Sequence, residues 1–447
     1  MSSSVSTRPS ITREVLALAT LAGPLVVNNL SIAGMNFADA VMAGRLGTRH
    51  LAAVAVGGGA WTVGFLFGLG VLMAISPVCA QAYGAGRNAD VGRYMRQGLW
   101  LSQALAVLVV VLIWNIEPLL WRIGIEAELI PLTVGYLRAV VFGVPAMYAY
   151  LALRFTSEGI GWTRPIMLAA VIALVVNVTG NWVFMYGKLG FPAMGAVGCG
   201  VATALSMTSM LVTLFFYMRR HRRYRPFELW RFEKPDWKAI REILGLGLPI
   251  GGSVVAEAGL FSAAALMMGR LGATQVAAHQ IAINYAATMF MVPLAIHSAI
   301  TIRVGHSVGA GRPDLGRRQG LTGIAVCGLF MTASALMLLL LRDHITALYT
   351  RDEDVRAVAY SLLTMAMIFQ ISDGLQVGAA GALRGFKDTR VPMLLNVMAY
   401  WLIAFPLAWY LGVHRDGGPQ AVWVALVVGL TIAAGLLNAR FLSISRR

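Results

Sequence analysis

The chain has 447 residues, of which 58% are hydrophobic and only 13% are charged, and it carries a net charge of +16. Because a soluble domain usually has about 25% charged residues, this composition excludes an ordinary soluble protein and indicates a polytopic membrane protein. The positive charge does not indicate nucleic-acid binding, since the basic residues lie in short loops between apolar spans, where the positive-inside rule accounts for them.

Twelve apolar spans follow one another along the chain, and each is long enough to cross a bilayer, which takes about 20 helical residues. They lie at 15–43, 51–80, 97–120, 130–153, 165–187, 194–218, 241–268, 276–302, 319–341, 355–380, 391–412 and 419–442. We therefore predict an all-α polytopic membrane protein with twelve transmembrane helices. An even number of spans places both termini on the same side of the membrane.

The distribution of basic residues predicts which side that is. If the N-terminus is cytoplasmic, the external loops hold few basic residues: Arg45, Arg49, Arg122, Lys188, Arg270, Arg342, Arg351, Arg356 and Arg415. All other lysines and arginines, apart from Arg138 within a span, are then cytoplasmic, as the positive-inside rule requires. We expect a multi-pass protein of the cell (inner) membrane with both termini in the cytoplasm and no cleaved signal peptide.

The two halves of the chain repeat each other. Residues 43–47 (AGRLG) recur as 268–272 (MGRLG), and residues 84–87 (GAGR) recur as 309–312 at the same offset. We predict an N-terminal six-helix lobe at 1–218, a basic cytoplasmic linker at 219–240 and a C-terminal six-helix lobe at 241–447. Because each half starts on the cytoplasmic side, the lobes are parallel, pseudo-symmetric repeats, and such proteins bind substrate between their repeats.

Three acidic residues lie deep within predicted spans: Asp39 in span 1, Glu257 in span 7 and Asp373 in span 10. A carboxylate there costs roughly 2.5–3.5 kcal/mol on insertion scales and usually faces a bundle interior or an aqueous cavity. A functional role is therefore favoured, with a buried structural hydrogen bond as the alternative. Glu158 lies beside Arg154 at the end of span 4, where we expect a surface ion pair.

Polar residues that share a helix face with each other are the candidate partners of these acids. Asn177 and Asn181 lie on one face of span 5, and their amide oxygens suit a small hard cation or a carboxylic acid proton. Thr203 in span 6 can add a hydroxyl. The alternative for the two asparagines is hydrogen bonding between helices.

Two further pairs have the same spacing. Phe369 and Asp373 share a face of span 10, and an aromatic ring beside a carboxylate suits an organic cation or a bound metal ion. Packing in the core or against lipid is the alternative for Phe369. Gln280 and Asn284 share a face of span 8 and are candidates for a cation and substrate site in the C-terminal lobe, with hydrogen bonding between helices again as the alternative.

No catalytic or cofactor-binding pattern occurs in the sequence. Cys79, Cys199 and Cys327 are far apart and form no CxxC, so we expect neither a disulfide nor a zinc site. We find no Ser/His/Asp set, no HExxH and no nucleotide-binding motif. We therefore expect no enzymatic activity and no cofactor.

Four segments together resemble one known family. They are residues 37–44 (FADAVMAG), 81–86 (QAYGAG), 247–249 (GLP) followed by Glu257, and 381–389 (GALRGFKDT). In this order they are similar to the multidrug and toxic compound extrusion (MATE) transporters, and within them to the NorM-like branch. The resemblance covers nearly the whole chain.

The resemblance implies a secondary antiporter that exports cationic, amphipathic drugs and toxic organic compounds in exchange for sodium ions or protons. It implies an N-lobe cation-binding site at Asp39, Asn177, Asn181 and Thr203, and a C-lobe cation and substrate site at Glu257 and Asp373 near Phe369. A sodium ion is expected either at Asp39, Asn177 and Asn181 or at Glu257 and Asp373. Phe369 departs from the branch, which often has a tyrosine at this position, and therefore lacks the hydroxyl that this tyrosine would supply.

Two other functions are alternatives to the antiporter. A lipid-linked oligosaccharide or lipid-precursor flippase of the same superfamily would need a cationic cavity, whereas the deep residues here are acidic. An intramembrane enzyme would need a catalytic constellation that the sequence lacks. We expect small cationic substrates and the lipid bilayer as partners, no nucleic acid, and a monomeric protein.

Overall fold

The structure, a computed structural model, describes residues 10–446, and within this range the secondary structure is helical with no β-strand. Eleven helices are long and apolar enough to cross a membrane, and one bent helix pair raises the number to twelve. Helices suit such a chain because a helix satisfies its own backbone hydrogen bonds, which lipid cannot do. The predicted all-α fold class with twelve transmembrane helices is confirmed.

The first half of the described chain contains nine α-helices. They are α1 (Ile11–Leu46), α2 (Thr48–Leu72), α3 (Ile75–Gly84), α4 (Asn88–Trp114), α5 (Glu117–Arg122), α6 (Ile130–Val141), α7 (Val144–Gly159), α8 (Arg164–Gly180) and α9 (Ala196–Arg220). A short π-helix, Asn181–Met185, continues α8, and a 3₁₀-helix, Arg222–Phe227, follows α9.

The second half of the described chain contains seven α-helices. They are α10 (Trp237–Leu271), α11 (Ala273–Gly309), α12 (Pro313–Tyr349), α13 (Glu353–Gly385), α14 (Arg390–Val397), α15 (Phe405–Ala408) and α16 (Gly418–Ile444). The π-helices Met398–Ala404 and Trp409–His414 flank α15, so residues 390–414 form one continuous span.

The described chain divides into two compact units, one at Pro24–Val255 and one that joins the residues up to Gly23 to Ala256–Arg447. The first residues of α1 belong with the second half because Glu14, which is buried, forms an ion pair with Arg303. The first part of α10 belongs with the first half, since a Cβ atom on Gly247 would lie 2.3 Å from the carbonyl oxygen of Val71. The first unit thus begins and ends later in the chain than the predicted N-terminal lobe at 1–218.

The fourth predicted span is a broken helix, because α6 and α7 meet at an angle of 47°. Pro145 in the first turn of α7 has no backbone N–H to continue the helix. Gly143 at the break lies against α9, where a Cβ atom would come within 2.7 Å of Cα of Ala204. The bend therefore has a local cause, the missing N–H of Pro145, and a packing cause, the close approach of α9 at Gly143.

One predicted surface contact is buried instead. The Arg154 Nε atom and the Glu158 Oε1 atom are 2.7 Å apart, as expected for an ion pair, but the Glu158 side chain is only 1% exposed. The expectation of a surface pair was wrong because α7 packs against α3, α4 and α9 around this residue.

Candidate functional site

The first polar cluster lies in the unit at Pro24–Val255 and is centred on Asp39 of α1, which is 8% exposed. The Asn181 amide donates a hydrogen bond of 2.6 Å to Oδ1 of Asp39, and the Asn177 amide donates one of 3.1 Å to the same oxygen. The sequence-predicted residues Asp39, Asn177 and Asn181 are therefore in direct contact; we call them the Asp39 cluster. Two amide donors stabilise a carboxylate in a place where water is scarce.

The end of α8 gives Asn181 its position. The regular helix stops at Gly180, and Asn181 opens the π-helical turn that follows, a feature often found at functional sites. Gly180 allows α9 to approach, since a Cβ atom there would lie 2.9 Å from Cβ of Ala202. The Oδ1 atom of Asn181 is buried and has no hydrogen-bond partner among the described residues, so one hard oxygen ligand beside Asp39 is unused.

Two residues that the sequence did not predict also lie beside Asp39. The Cys199 thiol lies within hydrogen-bonding reach of Asp39, and Tyr136 of α6 interacts with Asp39 electrostatically. Thr203 is linked to the cluster through both, because its hydroxyl donates to the Cys199 carbonyl at 2.9 Å and hydrogen-bonds with Tyr136. The i, i+4 spacing of Cys199 and Thr203 was the sequence signal that could have identified Cys199.

The second polar cluster lies in the unit that contains Ala256–Arg447. Glu257 of α10 is partly exposed, Asp373 of α13 is buried, and the two carboxyl groups interact as like charges. Arg384, also on α13, attracts Glu257. Two acids near one cation leave a net negative charge, so this cluster favours a further cation or a proton.

Tyr400 is a third member of this cluster, and the sequence pattern did not predict it as a site residue. It lies in the π-helix Met398–Ala404 and interacts electrostatically with both Glu257 and Asp373. Its neighbour Trp401 holds this segment against α10, donating a hydrogen bond of 3.0 Å to the carbonyl oxygen of Ala256. The Tyr400 hydroxyl is buried and has no hydrogen-bond partner among the described residues. We call Glu257, Asp373 and Tyr400 the acid-pair cluster.

Phe369 is 3% exposed and lies in an aromatic cluster, with ring centroids 5.9 Å from Phe261 and 5.6 Å from Trp423. Its ring therefore has the core packing that was the alternative for it. Gln280 donates a hydrogen bond of 2.9 Å to Asn284 on the same helix. No hydrogen bond among the described residues joins this pair to Glu257 or Asp373.

Both clusters offer oxygen ligands, namely carboxylate, amide and phenol groups, which suit a hard cation such as sodium, or a proton. No group of three or more His, Cys, Asp or Glu residues that could hold a metal ion occurs in the described range. Oxygen donors of this kind suit a hard cation better than a transition metal, which usually takes nitrogen or sulfur ligands.

The chain matches proteins of known sequence along its whole length. The MatE family model matches residues 24–183 and 249–410. A probable multidrug resistance protein NorM of Xanthomonas campestris pv. campestris is 43% identical over 446 residues, covering 100% of this chain and 97% of the relative. The multidrug resistance protein PmpM of Pseudomonas aeruginosa is 41% identical over 443 residues, covering 98% and 93% of the two chains.

Solved structures share the fold. An outward-facing multidrug resistance MATE family transporter of the MOP superfamily superimposes with a TM-score of 0.88 at 21% identity, covering 98% of each chain. The eukaryotic MATE transporter AtDTX14 gives a TM-score of 0.88 at 20% identity, again covering 98% of each chain. At these identities the similarity shows the fold alone.

Proposed function

Because this chain belongs to the MatE family, we propose that it is an antiporter that exports cationic amphipathic compounds in exchange for sodium ions or protons. Membership makes it a multidrug efflux transporter, and a membrane transporter rather than an enzyme. The resemblance to the NorM-like branch agrees with the NorM and PmpM relatives. The ion coupling and the positive charge of the substrates are our proposals.

The observation that carries the proposal is the excess of negative charge in the acid-pair cluster. Glu257 and Asp373 interact as like charges within helices long enough to span the membrane, and Arg384 attracts Glu257. A sodium ion, a proton or the cationic group of a drug would each relieve the repulsion. Occupants that relieve the same repulsion compete for one site, and such competition couples the inward movement of an ion to the outward movement of a drug.

The Asp39 cluster supports a second cation or proton site. Asp39 has amide and thiol partners, and no lysine or arginine forms an ion pair with it in the described part of the chain. A charge that moves through a potential of 100 mV changes its free energy by about 2.3 kcal/mol, enough for roughly 50-fold accumulation of a substrate. Binding of an ion at either cluster can therefore couple the entry of that ion to the export of a substrate.

We further propose a monomer in the inner membrane with both termini in the cytoplasm, and six-helix lobes at 1–218 and 241–447. The basic residues of the linker and the internal sequence repeat support this arrangement. A flippase for anionic lipid precursors is disfavoured, since the deep polar clusters are acidic rather than basic.

Transport by purified protein in lipid vesicles tests the proposal. Efflux of a cationic dye is followed under a sodium gradient and, separately, under a proton gradient. Glu257→Gln and Asp373→Asn should each reduce ion-driven efflux at least about tenfold, because each removes a charge that the ion and the dye share.

Asp416→Asn is the matched control, because it removes a carboxylate from an exposed loop, and it should transport like the wild type. All variants should insert into the membrane normally. Full ion-driven efflux by both acid-pair variants would show that these carboxylates do not carry the coupling. No dye movement under either gradient with wild-type protein would contradict the antiporter itself.

A further inference from the structure

The basic linker is an ordered layer that packs on α4. Arg93 of α4 forms an ion pair with Asp236, and one turn later Arg96 Nε lies 2.6 Å from Oε2 of Glu233. Trp100 of the same face donates a hydrogen bond of 3.0 Å to the carbonyl oxygen of Glu233. Residues 93, 96 and 100 lie on one side of a helix, so the linker follows a single stripe of α4.

Backbone contacts fix the linker as well. The Gln97 side chain donates to the carbonyl oxygen of Lys234 at 3.0 Å and accepts from the backbone N–H of Asp236 at 2.7 Å. Tyr224 and Phe227 of the linker are buried, with exposures of 2% and 3%. The linker therefore presents a defined outer surface instead of a fluctuating chain.

Three acidic residues of the linker form ion pairs with arginines. Glu233 and Asp236 pair with arginines of α4, and Glu228 lies 3.7 Å from Arg231. The hydrogen bond from Arg93 lowers the pKa of Asp236, so this group is a carboxylate at neutral pH. The linker acids thus pair with other arginines, and among the described residues no ion pair involves the outer cations of the linker.

The outer surface combines cations with exposed aromatic rings. Its basic residues are Arg219, Arg220, Arg222, Arg225, Lys234 and Lys238, all of them exposed; we call them the basic surface. Phe232 is 79% exposed and Trp237 is 71% exposed. The surface lies between two candidate membrane spans, α9 and α10, within a few residues of the end of each. Aromatic rings beside lysines and arginines at a span end are typical of contact with lipid headgroups.

We propose that the basic surface binds anionic phospholipid headgroups of the cytoplasmic leaflet, with Phe232 and Trp237 inserted at the headgroup level. The positive charge attracts anionic lipids, and the ion pairs with α4 hold the surface in a fixed geometry. The linker is then a lipid-binding site as well as a connection between two spans. The cytoplasmic location follows from the predicted topology.

The test uses the full chain in phosphatidylcholine nanodiscs that contain spin-labelled phosphatidylglycerol or spin-labelled phosphatidylcholine. Electron paramagnetic resonance measures the fraction of each label that the protein immobilises. Wild-type protein should prefer phosphatidylglycerol, and this preference should weaken as salt increases. Changing Arg219, Arg220, Arg222 and Arg225 together to glutamine should reduce the preference at least about fivefold.

The control removes the same number of exposed arginines elsewhere, at Arg45, Arg122, Arg351 and Arg415, and should retain the wild-type preference. Both variants leave Arg93, Arg96 and their partners intact, and thermal unfolding in neutral detergent should confirm that both are folded. A separate Phe232→Ala, Trp237→Ala variant should weaken immobilisation of phosphatidylglycerol. Equal losses in the two arginine variants, or no lipid preference in wild-type protein, would overturn the proposal.

Discussion

At the scale of single residues, the two polar clusters balance their charge in different ways. Asp39 receives hydrogen bonds from Asn177 and Asn181, so its carboxylate is stabilised by neutral donors. Glu257 and Asp373 repel each other, and Tyr400 beside them has a buried hydroxyl without a partner among the described residues. The Tyr400 oxygen is therefore available to a bound ion or to a protonated carboxyl group.

Tyr400→Phe tests whether this hydroxyl belongs to the ion site. The hydroxyl makes no hydrogen bond within the described structure, so its removal should leave the thermal unfolding temperature close to that of the wild type. The apparent affinity for the coupling ion, measured from dye efflux at varied ion concentration, should fall about tenfold.

Tyr285→Phe is the matched control. The Tyr285 hydroxyl lies 3.2 Å from the carbonyl oxygen of Ser334, so this variant should lose about 1 kcal/mol of stability and retain its ion affinity. If Tyr400→Phe binds ions like the wild type, the phenol has no part in the site.

At the scale of helices, α13 holds its neighbours through four glycines at helical spacing. A Cβ atom on Gly374 would lie 2.7 Å from Cγ of Met331 in α12, and one on Gly378 would lie 3.0 Å from Cα of Ile324. Gly381 and Gly385 face α11 in the same way. Small residues let membrane helices pack closely, so this helix, which carries Asp373, is fixed on two sides.

Gly381→Ala should disturb this packing. The new Cβ atom would lie 2.7 Å from the carbonyl oxygen of His297, a backbone atom that cannot move without shifting α11. We expect a loss of about 1–3 kcal/mol, measured as a lower unfolding temperature in detergent. Gly435→Ala in α16 has nothing within 4 Å of its new Cβ atom, so the same substitution there should be neutral or stabilising. Equal effects at both sites would contradict a packing role for Gly381.

For the entire protein, the number of spans and the distribution of basic residues support the topology that we propose, with both termini in the cytoplasm. Loops that follow an even number of spans carry most of the lysines and arginines, and the linker after the sixth span is the most basic of them. The ion-coupled export that we propose depends on this orientation, because the substrate must leave the cytoplasm.

Cysteine labelling of intact cells tests the topology. Cys79, Cys199 and Cys327 are buried and form no disulfide, so a membrane-impermeant maleimide should react only with an introduced cysteine. Arg45→Cys should be labelled from outside, whereas Arg225→Cys should be labelled only after the cells are permeabilised. The reverse pattern would show that the termini are outside.

The amino-acid sequence alone predicted the membrane spans of this protein and the acidic residues within them. Apolar length predicted the spans, an internal repeat predicted two halves, and the cost of burying charge identified Asp39, Glu257 and Asp373. Helical spacing placed Asn177 and Asn181 on one face, and the structure brings both to Asp39. Periodicity, composition and repetition can all be recognised along the chain without knowing which segments pack together.

The sequence did not reveal which helix faces contact each other, and the folded structure was needed to identify these contacts. Tyr400 and Tyr136 reach the acidic clusters from other helices, and Phe369 lies among aromatic rings in the core. The linker packs on α4, and Gly143 permits the bend between α6 and α7. Periodicity shows which residues share a face of one helix, but the partner of that face is set by packing between segments distant in sequence, where small residues allow the closest approach.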